Sequence, residues 1–206
     1  FDEMTRWRWG SASATASYQH NFSGEGHNLV ASYMYTHGIS SGKDDITYKD
    51  SFNYPLTDSY QLNDTKSPTN EHTLQIDYTN PFNGHHTLEA GAKAILRRNS
   101  SRSIAYRGAS ASSCLPDESS DVDLSQRQDV AALYASYTAT FGKWSAKGGL
   151  RYEHTYMAVD FTKPERPQFS THLIDVVPNA AVSFSPAPAS NLLLAYQMRI
   201  TRPGVS

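Results

Sequence analysis

The chain has no long hydrophobic run, a single cysteine and no excess of positive charge. Its best apolar run, Leu192 to Tyr196, is far shorter than the ~20 residues that a membrane-spanning helix needs. Cys114 alone excludes an internal disulfide framework. A formal net charge of −2 argues against a nucleic-acid-binding protein, which would carry a basic stripe.

Low overall hydropathy does not exclude the membrane. The mean hydropathy is −0.56, a value typical of soluble proteins. In a β-barrel, however, only alternate residues face lipid, and the others face a polar lumen. The sequence shows no signal peptide, and Phe1 is not a natural initiator. We therefore expect both ends to be cuts through a longer protein.

Apolar residues alternate with polar ones along most of the chain, which predicts strands rather than helices. Within 86–98, for example, Leu88 and Leu96 belong to one face and Glu89 and Lys93 to the other. Several segments reach the ~9–11 residues that a tilted bilayer crossing requires. About eight strands are predicted, near 6–22, 27–39, 71–82, 86–99, 128–141, 143–160, 176–185 and 191–202.

The predicted connections alternate between tight turns and long polar loops. Tight turns are expected at 23–26, 83–85, 141–143 and 186–188, and long loops near 41–70, 100–126 and 161–175. The two ends of a soluble sandwich meet the same solvent and have no general reason to differ. An outer-membrane barrel has short periplasmic turns and longer extracellular loops. The fold class predicted here is therefore all-β, an antiparallel up-and-down meander forming a sector of a transmembrane β-barrel.

Aromatic residues favour the same interpretation, because they fall near both ends of the predicted strands. One set lies close to the short turns and a second lies towards the long loops, as the two aromatic girdles of a membrane barrel require. The first set is Tyr18, Phe22, Tyr78, Phe82, Phe141, Trp144 and Phe184, and the second is Tyr33, Tyr35, Tyr152, Tyr156 and Met198.

Two alternatives remain open at this level. A soluble secreted β-sandwich, acting as a carbohydrate-binding or adhesion module, would show the same alternation with its apolar faces packed together. A complete small barrel of about eight strands would also fit the pattern. The sandwich predicts folding in plain buffer and no systematic difference between the two sets of connections.

Three segments resemble strands of the TonB-dependent outer-membrane receptors of the Bacteroidetes type. They are Asn191-Leu-Leu-Leu-Ala-Tyr196 with the ending Arg199-Ile-Thr-Arg-Pro203, the Gly149-Leu-Arg-Tyr-Glu153 strand, and Pro178-Asn-Ala-Ala-Val-Ser-Phe184. The resemblance implies a sector of a large barrel in the bacterial outer membrane, with its long loops outside the cell. It further implies import of a scarce ligand, such as an iron chelate, cobalamin or a glycan.

The same resemblance implies the partners. These are outer-membrane lipid, a plug domain inside the barrel, and TonB, which supplies the energy; the sequence matches neither a plug nor a TonB box. Nucleic acid is not expected as a partner. A barrel sector separated from its parent would expose unpaired edges and an apolar face, so we expect the isolated chain to self-associate.

Candidate site residues follow from the charged face and the loops. A lumen-facing set is predicted on the polar face of the strands, where charges could pair across strands or pack on a plug. Ligand contact is predicted from aromatic residues of the 41–70 loop, because binding residues concentrate on loops. The lumen-facing set is Glu89, Lys93, Arg97, Lys147, Arg151, Glu153 and Arg199, and the loop set is Tyr48, Phe52, Tyr54 and Tyr60.

An acidic loop is the one candidate metal site. Asp117, Glu118, Asp121 and Asp123 place four carboxylates within seven residues, and calcium takes six to eight oxygen ligands. A solvated loop is the alternative, because the EF-hand spacing and its central glycine are missing. No other cofactor is expected. The sequence contains no Gly-x-Ser-x-Gly elbow, and we expect no catalytic residues.

Overall fold

The computed structural model describes residues 2–49 and 59–200, and these residues form one antiparallel sheet. Among them, no helix is both long and apolar enough to cross a membrane. The strands are β1 (Asp2–Asn21), β2 (Asn28–Thr47), β3 (Tyr60–Phe82), β4 (His86–Gly108), β5 (Leu115–Pro116), β6 (Val122–Phe141), β7 (Trp144–Lys163), β8 (Arg166–Ala187) and β9 (Ser190–Gln197).

The sheet is an up-and-down meander, as predicted. Its order is β1-β2-β3-β4-β6-β7-β8-β9, and the two-residue β5 pairs with β4 inside the connection to β6. Over the described residues no second sheet is stacked on this one, which contradicts the sandwich alternative. β1 and β9 are not paired with each other in the described part, so the sheet is open and the small closed barrel is also contradicted.

The short turns lie where the sequence predicts them. Asn83 and Gly84 both have positive φ, 53° and 66°, as the tightest hairpin turns require. Gly142, with φ 58°, occupies the left-handed region in the β6–β7 turn. These turns lie at one end of the sheet. The strand ends at Thr47 and Tyr60, the connection 109–121 and the turn 164–165 lie at the other.

The predicted long loops are mostly strand, and their bounds are corrected here. β2 continues to Thr47 and β3 begins at Tyr60, so residues 41–47 and 60–70 of the predicted 41–70 loop belong to strands. The 100–126 loop shrinks to 109–121. The 161–175 loop is only the two-residue turn Pro164–Glu165. Beyond the apolar stretch both faces become polar, and this removes the alternation from the sequence while backbone pairing continues.

Hydroxyl pairs show how the polar extensions hold together. Thr65 donates to Ser103 at 2.9 Å, and Ser67 and Ser101 are 3.0 Å apart. The long strands contain 20–23 residues. At about 3.3 Å per residue and a tilt near 40°, such strands rise about 50 Å, roughly twice the ~25 Å apolar band of a membrane barrel. Strands of this length are therefore much longer than a bilayer crossing requires.

Candidate functional site

Burial across this sheet is inverted relative to a water-soluble protein. Leu133, Leu150 and Leu194 are 62, 52 and 78% exposed on one face. On the opposite face Glu153 is 0% and Thr155 1% exposed. Since no second layer covers the sheet in the described part, one face can be buried only if it is concave and its side chains crowd one another. The polar face is therefore the inside of the curve, and the apolar face is the outside.

The apolar band has the height of a bilayer core. On β4 it runs from His86 to Leu96. Those ten steps, at about 3.3 Å each and a tilt near 40°, rise about 25 Å. The same face continues across the neighbouring strands through Leu74, Ile76, Ala92, Ala94, Ala131 and Leu133. This is the surface that a lipid-exposed wall presents.

The aromatic girdle near the short turns is built from contacts between strands. Trp144 stacks on Phe184 with ring centroids 4.4 Å apart. Phe22 meets Tyr78 edge-on at 6.3 Å, and Phe82 lies 6.3 Å from Tyr137. Aromatic rings at this level fit the interfacial belt of a membrane protein.

The second girdle, at the other end of the apolar band, includes histidines that the sequence analysis did not identify. The Tyr33 hydroxyl and His72 Nδ1 are 2.7 Å apart, and Tyr35 lies 4.9 Å from the His72 ring. Three and four strands beyond β3, Tyr156 of β7 lies 4.8 Å from the ring of His172 of β8. These rings combine an apolar body with a polar edge, which suits a membrane–water boundary.

Charged residues on the concave face pair across strands. Lys147 forms an ion pair with Glu89, and Ser136 donates a hydrogen bond to the same carboxylate at 2.8 Å. Arg97 donates to Glu71 at 2.7 Å and to Gln128 at 2.8 Å. The contacts of Glu89 link β4 with β6 and β7, and those of Arg97 link β4 with β3 and β6.

A second group on this face centres on Tyr134. Its hydroxyl donates a hydrogen bond to Asp77, two strands away. Arg151 lies over the Tyr134 ring at 5.5 Å and donates to Glu153 at 2.7 and 3.0 Å. The ring crosses β4 above Gly91, where an added Cβ would lie 2.5 Å from ring atoms. Glycine at this position therefore leaves the space that the Tyr134 ring occupies.

Gly91→Ala is expected to displace the Tyr134 ring and break its bond to Asp77. Overpacking of this kind costs about 1–3 kcal/mol. Gly148→Ala is the matched control, because Gly148 lies on the apolar face with nothing within 4 Å of an added Cβ. Thermal unfolding of the full-length protein in lipid vesicles should show a lower midpoint for Gly91→Ala only. Equal midpoints for both variants would contradict this packing.

The register places six of the seven residues of the predicted lumen-facing set on the concave face. Lys93 lies opposite Gln75 and Ala132 in the same row as Glu153. Arg199 follows the end of β9 and lines a shallow depression with Arg151, Glu153 and Gln197. The members that the prediction did not include are Glu71, Asp77, Gln128 and Tyr134. The alternation of apolar and polar residues indicates the face on which these four residues lie. Only the strand register shows which charged residues they contact.

The predicted ligand-contact set divides into residues with different environments. Phe52 and Tyr54 lie outside the described residues. Tyr60 is 7% exposed, and its hydrogen bond to Asp45 raises the pKa of the Tyr60 phenol to about 12. Tyr48 is 40% exposed at the hairpin end, with its hydroxyl 3.5 Å from Gln61. Among the described members of the predicted set, Tyr48 therefore has the larger solvent-exposed side chain.

The carboxylates of the acidic loop each contact different groups of the protein. Asp117 pairs with Arg107 at 2.8 Å and accepts hydrogen bonds from the hydroxyls of Ser119 and Ser120. Those bonds hold the pKa of Asp117 below its ordinary value. Asp121 accepts a hydrogen bond from the backbone amide of Ala105.

The other contacts of this loop also use protein groups. Lys163 pairs with Asp121 at 3.4 Å. Asp123 lies opposite Arg102 in the strand register, without a hydrogen bond or ion pair between the two side chains. Across residues 2–49 and 59–200, no three His, Cys, Asp or Glu side chains form a group that could hold a metal ion. The calcium site, with Glu118 as a further ligand, stays a prediction.

Solved transporters and receptors of ferric chelates have a similar fold. The ferric citrate transporter FecA aligns with a TM-score of 0.64 at 19% identity, covering 92% of this chain and 27% of FecA. The ferric-catecholate import receptor Fiu of E. coli K12 aligns at 0.62 and 9% identity, covering 93% and 33%. BauA, the ferric preacinetobactin receptor of Acinetobacter baumannii, aligns at 0.54 and 11%, covering 89% and 29%. The chain thus spans about a third or less of each receptor.

Sequence comparison agrees with the fold. No curated protein matches the chain by sequence. Residues 20–206 match the outer membrane protein beta-barrel family, and this match covers most of the chain. Restriction to Bacteroidetes stays a prediction. The family match, the apolar outer face and the two aromatic girdles lead to one conclusion: the chain belongs to the outer membrane protein β-barrel family and lies in the bacterial outer membrane.

Proposed function

We propose that this chain forms part of the wall, and part of the extracellular vestibule, of a TonB-dependent import receptor. The apolar convex face contacts lipid, and the polar concave face lines the lumen and packs on a plug domain. The long hairpins extend outside the cell. The work of the protein is binding and gated passage, which requires no covalent chemistry.

The inverted burial is the observation that carries the proposal. Exposed leucines on one face would be unfavourable in water, whereas a bilayer stabilises them without a second protein layer. The buried Glu153 and its neighbours support a polar interior on the other face. A wall between lipid and a polar lumen satisfies both faces.

The paired charges of the concave face suit a lumen that a second domain fills. Glu89 with Lys147 and Arg97 with Glu71 neutralise each other across strands, so the wall presents hydrogen-bonding groups with little net charge. A plug can pack on such a surface and later move, because its contacts exchange for water at modest cost. TonB would supply the energy for that movement.

A ferric chelate is the ligand class that we place first. The three structural neighbours are named for ferric citrate, ferric catecholate and ferric preacinetobactin. Cobalamin and glycans remain in the proposal as further ligand classes. From the predicted loop set, Tyr48, 40% exposed beside the end of β2, is the residue that we propose contacts a ligand from outside.

The test is uptake by cells that lack the protein. Wild-type, deletion and complemented strains would be supplied with radiolabelled ferric citrate, a ferric catecholate, cobalamin and an oligosaccharide mixture, with and without a protonophore. We expect the deletion to abolish energy-dependent uptake of one probe and complementation to restore it. Unchanged uptake of every probe, with the protein present in wild-type outer membranes, would contradict the import function.

Self-association of the isolated chain is a further expected result. Both edge strands and the whole apolar face are open in the described sheet, and such surfaces recruit other chains. Light scattering of residues 1–206 refolded in buffer should show large polydisperse particles, and detergent above its critical concentration should reduce them. A monodisperse monomer in plain buffer would count against a lipid-facing surface.

A further inference from the structure

Basic residues cluster on the convex face above the apolar band, on the strand extensions that leave the membrane. All of them are exposed, and three lie in one row of the sheet, where Arg8 is followed by Ser41, Lys66 and Arg102. We call the following residues the basic patch: Arg6, Arg8, Lys43, Lys66, Arg98, Arg102 and Arg127.

The patch lies on the outside of the wall. Leu96, Arg98 and Arg102 alternate along β4 on one face, so the cations continue the line of the lipid-facing leucines. Between Arg98 and Arg102, the lumen-side positions carry the neutral polar residues Asn99 and Ser101. Charges that point away from the lumen cannot contact a ligand in the vestibule, and they need another explanation.

Part of the patch is neutralised by the protein. Arg98 and Arg127 lie opposite each other, and both pair with Asp129, at 2.5 and 2.6 Å. Lys43 pairs with Asp64 at 3.0 Å. These contacts show how the sheet compensates opposed like charges where it has a carboxylate available.

The central row has less compensation: Asp123 lies opposite Arg102, but no carboxylate lies directly opposite Lys66 or Arg8. Lys66 and Arg102 are direct cross-strand neighbours, an arrangement of like charges that destabilises a sheet. Within residues 2–49 and 59–200, Arg8, Lys66 and Arg102 make no side-chain hydrogen bond or ion pair, although Asp123 follows Arg102 in the row. An anion from outside the chain would offset the repulsion.

The height of the patch identifies where that anion lies. Arg98 and Arg102 are two and six positions beyond Leu96, which is about 5–15 Å above the apolar band after allowing for tilt. The headgroup zone begins at the edge of that band and is several ångströms thick. Long Arg and Lys side chains can reach down into it.

We propose that the basic patch binds the phosphate groups of a phosphorylated lipid in the outer leaflet. The acyl chains of that lipid pack on the apolar band, and Lys66, Arg102 and Arg8 contact its phosphates. Arg is suited to this, because its guanidinium can donate two parallel hydrogen bonds to one phosphate. The inference concerns the outer wall and goes beyond the proposed import function.

Native mass spectrometry of the full-length protein in neutral detergent tests the proposal. The probes are diphosphorylated lipid A and the same lipid without its phosphates. The test variant is K66Q/R102Q. The matched control is K93Q/K143Q, which removes the same charge from the concave face and from a short turn. Heat-shifted migration on gels would establish that both variants fold.

We expect wild type and control to retain the phosphorylated lipid, and K66Q/R102Q to bind it about tenfold or more weakly, as two lost cation–phosphate contacts imply. The lipid without phosphates should bind wild type as weakly as the phosphorylated lipid binds the test variant. Equal retention by K66Q/R102Q and wild type would overturn the proposal. Equal binding of a phosphorylated core sugar without acyl chains would overturn the assignment to a lipid. Ligand uptake unchanged in K66Q/R102Q would separate this result from the import function.

Discussion

Ala135→Arg is expected to destabilise the full-length protein by about 2–4 kcal/mol, the cost of Arg on the lipid face near the bilayer midplane. Ala135 is exposed on the convex face of β6, six positions from Phe141 at the short turn and therefore near the middle of the apolar band. The measurement is the free energy of unfolding from urea titrations of protein refolded in lipid vesicles, followed by tryptophan fluorescence.

The next residue supplies the control for this prediction. Ser136 is also small and lies at nearly the same depth, but it is on the concave face and donates a hydrogen bond to Glu89 at 2.8 Å. Ser136→Arg would place a cation beside that carboxylate, and we expect a cost below about 1 kcal/mol. Equal costs at the two positions would mean that both faces meet the same solvent, which is incompatible with a lipid-facing wall.

Glu153→Leu is expected to cost about 2–3 kcal/mol. Glu153 is fully buried and pairs with Arg151 at 2.7 Å. Removing one member of a buried pair leaves the other charge uncompensated, which costs about 3–5 kcal/mol in a dry interior. Arg151 is 29% exposed and keeps its contact with the Tyr134 ring, so we place the cost below that range.

The double variant Glu153→Leu with Arg151→Met separates pairing from burial. If Glu153→Leu is destabilising because it leaves the Arg151 charge unpaired, then removing that charge should restore at least about 1 kcal/mol of the free energy of unfolding. The same urea titration in vesicles measures all four members of the cycle. Strictly additive costs would show that the two residues do not interact, contrary to the geometry.

The fold could be predicted largely because the membrane imposes a simple rule on each strand. Alternation assigned Leu88 and Leu96 to one face of β4 and Glu89 and Lys93 to the other, and the register agrees. The Asn83-Gly84 turn was predictable because both residues adopt positive φ, which few residues tolerate. These features depend on local chemistry alone.

The strand extensions could not be predicted, because their pattern is lost where both faces meet water. Residues 166–175 contain Gln168, Ser170 and Thr171 with few apolar neighbours, and were interpreted as loop, yet they belong to β8. Backbone hydrogen bonds to β7 hold this segment whatever the side chains. The length of the strands above the membrane is thus set by backbone pairing between neighbouring strands. The hydropathy pattern of the sequence does not reveal that length.

The side-chain contacts on the concave face could not be predicted from the sequence, for a different reason. Tyr134 reaches Asp77 across Gly91, and the three residues belong to different strands that only the register aligns. The same holds for the opposed Lys66 and Arg102. Composition could show that these residues exist, but it could not show which of them meet.

Labelling of a native thiol on intact cells tests the orientation of the wall most directly. Cys114 lies in the β4–β6 connection, at the extended end of the hairpins, and His85 is exposed in the turn at the opposite end. We expect a membrane-impermeant maleimide to label the wild-type protein and to leave Cys114→Ser unlabelled. His85→Cys in the Cys114→Ser background should react only after the outer membrane is permeabilised. Labelling of His85→Cys on intact cells as fast as Cys114 in the wild type would contradict a membrane-spanning wall.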